Sequence, residues 1–135
     1  MGMTRNDIFD TQKLSEPTLM TFDFRVQPDP DIPCLRTHSI VMQPGARDFG
    51  AELMAMTNDQ INPAHKILPF AWGRMGGGTN TAAYALLGYL FGREVSDALG
   101  TQFAQQVISC LNSGDDSLSS TWTYRWVKDR AKVLA

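Results

Sequence analysis

The chain has 135 residues, 43% of them hydrophobic and 19% charged, with a formal net charge of −2. Such a composition describes one globular domain with a real core, short for a self-contained enzyme with a separate cofactor domain, and it argues against nucleic-acid affinity spread over the whole surface. Two cysteines, Cys34 and Cys110, exclude a disulfide scaffold.

Residues 1–20 are polar and aperiodic, with no apolar segment resembling a signal peptide, and read as an N-terminal arm ahead of a single domain over 21–135. Thr21-Phe22-Asp23-Phe24-Arg25-Val26 alternates with period two, which predicts a strand with Phe22, Phe24 and Val26 on one face. Pro28, Pro30 and Pro33 predict a stiff loop over 27–36. His38 to Gln43 reads as a second strand paired with the first and ended by Pro44-Gly45. Phe49, Leu53 and Met56 predict a short helix over 47–58. Ile67 to Trp72 reads as a third strand, placed at an edge by Pro69.

The glycine-rich stretch Trp72-Gly73-Arg74-Met75-Gly76-Gly77-Gly78-Thr79 follows. It reads as a turn feeding a buried, nearly all-apolar helix over 81–91, with Thr79 or Thr81 as N-cap and Gly92 as stop. Val95, Leu99, Phe103, Val107 and Leu111, widened by Ala98 and Ile108, predict an amphipathic helix over 93–112. Residues 112–116 read as a loop, and 119–133 as a last helix with Trp122, Trp126 and Leu134 along one side. The expected architecture is α+β: a small antiparallel sheet of about three strands packed on three to four helices. The longest apolar run, Ala82–Leu87 resuming at Tyr89–Phe91, is too short to span a bilayer, so a cytoplasmic protein with reduced cysteines is expected.

Gly73, then four residues, then Gly78 and Thr79 imitates a Walker A loop, but the lysine before the hydroxyl residue is missing. A structural turn, a protein-contact loop or an anion at the helix start over Gly76–Thr79 remain as readings, with Arg74 beside the turn. Cys34 and His38, with Cys110 and His65, match no zinc spacing, so no metal and no cofactor are expected. No Gly-x-Ser-x-Gly elbow occurs, Cys110 reads as a buried inert thiol, and the pairs Asp29/Asp31 and Asp115/Asp116 read as turn carboxylates; no catalytic residue is assigned. Trp122, Tyr124 and Trp126 lie among Arg125, Lys128, Arg130 and Lys132. Three readings share that helix: a core-covering face with cations at its C-terminus, a protein hot spot, or a nucleic-acid face. The charge is uneven: Asp7, Asp10, Glu16, Asp23, Asp29 and Asp31 make the first 31 residues acidic, opposite in sign to the last helix.

Trp72-Gly73, Gly76-Gly77-Gly78-Thr79, the Ala/Leu-rich run Ala82–Leu90 and the amphipathic run Val95–Leu111 together resemble a small uncharacterised domain family of bacterial phages, plasmids and integrative elements. At the position after the turn where that family has a proline or small residue, this chain has Thr79-Asn80. The resemblance implies a mobile-element context and no transferable activity. By analogy of size and charge it implies a non-enzymatic accessory protein that inhibits a host defence protein or ribonucleoprotein complex, as anti-CRISPR proteins do. The expected partner-binding residues are Trp72, Arg74, Gly76, Gly77, Gly78, Thr79, Trp122, Tyr124, Arg125 and Trp126. The alternatives are a nucleotide or small-ligand module using Gly76–Thr79, and a nucleic-acid accessory using the basic last helix.

Overall fold

A computed structural model describes residues 14–28, 31–32, 34–45, 47–48 and 70–134. Its elements in chain order are β1 (Thr21–Pro28), β2 (Arg36–Gln43), β3 (Arg47–Asp48), α1 (Gly77–Phe91), α2 (Arg93–Gln106), a 3-10 turn (Ile108–Cys110), β4 (Asp116–Ser119) and α3 (Ser120–Leu134). The architecture is α+β, with an antiparallel sheet in the order β3-β2-β1-β4.

The alternation in β1 sets the two faces of the sheet. Phe22 and Phe24 are buried, and the antiparallel register sets Phe22 opposite Met42 and Leu118, and Phe24 opposite Ile40. Asp23 and Arg25 point to the other face, where they form an ion pair at 3.1 Å. On the inner side the sheet shares one core with α1 and α2: Ala82, Ala83, Ala85, Leu86 and Leu87 from the first helix, Val95, Leu99 and Phe103 from the second. Full burial of each large side chain there stabilises the fold by about 1.5–3 kcal/mol before conformational entropy is counted.

Two glycines shape the helix pair, one by its backbone conformation and one by a close approach. Gly92, at φ +93, ends α1 by donating its N–H to the Gly88 carbonyl, then starts α2 by accepting from Ser96 N–H. Gly100 lies under the Tyr84 ring, where an added Cβ would come within 2.7 Å of it.

Several sequence expectations need correction. Among the described residues the third strand of useful length is β4; of the strand expected over 67–72, Phe70–Trp72 is irregular and 67–69 lie outside the described residues. Of the helix expected over 47–58 only Arg47 and Asp48 are described, and they pair with β2 as a short strand. The loop expected over 27–36 is shorter, because β1 runs on to Pro28 and β2 begins at Arg36. The amphipathic helix stops at Gln106; Ile108 is buried in the 3-10 turn, whereas Ala98 is exposed. Cys110 is exposed, since the turn rotates it off the buried stripe.

Residues 14–20, the described part of the polar arm, have no regular structure, yet they are tied to α3. Ser120 is fully buried; its hydroxyl accepts from Met20 N–H at 2.9 Å and donates to the Thr18 carbonyl at 3.0 Å. The Tyr124 hydroxyl donates to the Leu14 carbonyl at 3.2 Å.

Candidate functional site

The Trp-Gly step is structural. Trp72 is 2% exposed, contrary to its expected role in partner binding. The reason is a bond network: its Nε1 donates to the Gly114 carbonyl at 2.7 Å, and its ring meets Phe24 and His38 edge-on at 5.1 and 4.9 Å. Gly73 donates its N–H to the Ile108 carbonyl at 3.0 Å. At φ +73, with Ser113 Cα only 2.7 Å from where a Cβ would stand, no side chain fits there. Trp72 and Gly73 therefore fasten residues 108–114 to the inner end of the sheet.

Beyond this clasp, Arg74, Gly76 and Gly77 are exposed and Gly78 half-buried. The helix starts earlier than the threonines suggest: the N-cap is Gly76, with no side-chain cap, and Gly77 and Gly78 already belong to α1. Thr79 is fully buried and donates its hydroxyl to the Arg74 carbonyl at 2.6 Å; Thr81 donates to the Gly77 carbonyl at 3.0 Å. Both hydroxyls are thus turned back into the chain, where the Walker A comparison needs one facing a metal ion. With both hydroxyls turned away, an anion at this helix start is left with the backbone N–H groups and the exposed Arg74.

On α3 the aromatic cluster divides among three directions. Ser120, Thr123 and Val127 are buried, which aims Trp122, Arg125 and Asp129 at solvent along one stripe. Trp122 is 46% exposed and is the one aromatic of the exposed class among the described residues. Tyr124 turns to one flank, 6.3 Å from Phe91 by ring centroids, and Lys128 stands 5.0 Å over its ring. Trp126 turns to the other flank onto Phe103 at 5.0 Å, with Arg130 5.4 Å over the indole and also donating to the Gln106 side-chain carbonyl. The expectation that Trp122 and Trp126 share a buried side is corrected: Val127 is buried with Ser120 and Thr123, Trp126 packs on Phe103 at the flank of that face, and Trp122 lies on the outward stripe.

The sequence reading missed Leu19, which is 67% exposed and sits between the two residues bonded to Ser120, at the start of α3. No signal marks it, because it lies in a polar, aperiodic stretch. It also passed over Met75, 55% exposed in the glycine turn.

A groove of about 270 Å³ on the sheet is lined by Asp23, Phe24, Arg25, Asp115, Asp116 and Ser117. Its carboxylates serve the chain: Asp115 accepts from Val26 N–H at 3.0 Å, and Asp116 accepts from the N–H groups of Asn112 and Ser117 at 2.7 Å. Asp115 thus ties the loop to β1, and Asp116, expected in the loop, is the first residue of β4 and closes the turn from its end. Among the described residues no three His, Cys, Asp or Glu side chains are grouped to hold a metal ion. No described helix is long and apolar enough to cross a membrane.

Residues 47–129 match the model of a family of unknown function, DUF6166. Comparison with curated proteins and with solved structures gives no match.

Proposed function

We propose that this chain, which belongs to the DUF6166 family, acts by binding another macromolecule at the outward face of α3 rather than by catalysis. The observation that carries the proposal is Trp122, 46% exposed beside the exposed Arg125, while Trp72, Tyr124 and Trp126 are all tied down by internal contacts. An exposed tryptophan flanked by arginine is the composition of interface hot spots.

In its finer form the proposal places the chain in a bacterial mobile element, as an accessory protein that inhibits a host defence protein or ribonucleoprotein complex. That part is supported by the sequence resemblance carried by Trp72-Gly73 and the following glycines. Affinity capture from a bacterial host, with the native chain and with a Trp122→Ala/Arg125→Glu variant, tests both levels. The expected result is a defence component retained by the native chain and lost by the variant. Equal capture by both removes the α3 face, and turnover of a substrate by the purified chain removes the non-enzymatic reading.

A further inference from the structure

We infer that the outward face of α3 meets a second copy of this chain, the two helices lying antiparallel about a two-fold axis; this rests on the reading of α3 as a contact face and names what the free chain places there. The exposed stripe consists of Trp122, Arg125 and Asp129. Its two charges are opposite in sign and four residues apart, so the stripe is neutral. Lys128 and Arg130 stand off it, held at opposite flanks over the Tyr124 and Trp126 rings.

Both charges on the stripe are open. On α2, Arg93 and Asp97 have the same spacing and the same order, and they close on each other at 3.2 Å. Arg125 and Asp129 form no ion pair among the described residues. A two-fold axis makes this stripe its own complement. With the helices antiparallel and the axis level with Val127, Arg125 of each copy faces Asp129 of the other, which gives two crossed ion pairs and no net charge. Parallel helices would instead set Arg125 against Arg125 and Asp129 against Asp129, which like-charge repulsion disfavours. Trp122 stands about 7.5 Å along the helix from the axis, and Asp129 about 3 Å. Each Trp122 therefore reaches past Asp129 of the other copy and covers one end of the contact. A nucleic acid finds no net positive charge on this stripe to neutralise its phosphates. A contact confined to one helix is small, so the pairing is weak and gives way to a tighter partner at the same face.

Sedimentation equilibrium of the full chain tests the pairing. The native chain is expected to dimerise with a Kd of roughly 10–100 µM, and more weakly as salt rises. Arg125→Asp and Asp129→Arg each bring like charges together at both crossings and are expected to weaken the dimer at least about tenfold. Trp122→Ala is expected to weaken it by about as much, whereas Arg36→Glu, at an exposed arginine of β2, leaves it unchanged. Mixing the Arg125→Asp and Asp129→Arg chains restores opposite charges at both crossings, so the mixture is expected to form a heterodimer within about threefold of the native Kd. If a charge reversal lacks a native melting curve, Arg125→Ala and Asp129→Ala replace the pair, each expected to weaken the dimer about threefold or more. A native chain still monomeric at about 500 µM, a dimer indifferent to the charge reversals, or a mixture that restores nothing overturns the inference. A monomeric chain that captures a cellular partner through Trp122 and Arg125 removes the second copy alone and leaves the contact reading standing. A dimer rescued by mixing, beside equal capture by the native chain and the Trp122→Ala/Arg125→Glu variant, keeps the second copy and removes the foreign partner from this face.

Discussion

At Gly73 backbone conformation and packing act together. A non-glycine residue at φ +73 carries a strain of roughly 1–2 kcal/mol, and a Cβ there meets the backbone of Ser113, which has no flexible end to move. Gly73→Ala is therefore expected to lower unfolding stability by about 2–4 kcal/mol in urea titration, combining strain and overpacking. Gly76→Ala, in a turn with nothing within 4 Å of the new methyl, costs about 1–3 kcal/mol from the backbone alone. Trp72→Phe keeps most of the ring contacts with Phe24 but leaves the Gly114 carbonyl without its donor, an expected loss of about 1–3 kcal/mol in the same titration. The sequence marks Trp72 and Gly73 as special but not as inward-facing. They stand in an irregular segment, so the strand expected over 67–72 assigns the Trp72 ring no correct face. Their surroundings come from residues 108–114, which are remote in the chain.

The elements that announce themselves are those whose period matches their burial. β1 alternates because one face of the sheet is covered, and α2 repeats Val95, Leu99 and Phe103 because one side of the helix is. β4 is illegible for the converse reason: Asp-Ser-Leu-Ser holds a single large apolar residue, and its extension is imposed by the ladder that sets Leu118 opposite Phe22. Phe70 and Trp72 suggest a strand by composition, but their rings serve as wedges from an irregular segment. Contact between α1 and α2 gives a prediction at this scale. Gly100→Ala brings a helix-propensity gain of up to about 1 kcal/mol, yet the new methyl would stand 2.7 Å from the Tyr84 ring. The single variant is expected to be destabilised by about 1–3 kcal/mol through overpacking. In a Tyr84→Ala background the same change is expected to become neutral or stabilising. A double-mutant cycle followed by thermal unfolding reads that reversal of sign; additive effects of the two changes would show that the helices part freely.

For the molecule as a whole, the surface assigned to binding and the bonds that hold the fold meet at one helix and can still be separated by mutation. α3 fastens the chain's beginning to its end: Met20 N–H reaches the Ser120 hydroxyl and Leu14 receives the Tyr124 hydroxyl, both across at least 100 residues of sequence. Ser120→Ala deletes a buried hydroxyl with two bonds and leaves Met20 N–H without its side-chain acceptor. The expected cost is about 1–3 kcal/mol, with faster proteolysis over residues 14–20, since a segment without regular structure depends on such ties. Trp122 and Arg125, on the opposite side of the same helix, make no tie of this kind among the described residues. Trp122→Ala/Arg125→Glu is therefore expected to stay within about 1 kcal/mol of native stability and to show native proteolysis, while losing partner capture. The two variants thus move opposite readouts from adjacent turns of one helix. If the Trp122/Arg125 variant unfolds as early as Ser120→Ala, the outward stripe belongs to the packing of the fold, and the exposed tryptophan loses its meaning as a contact surface.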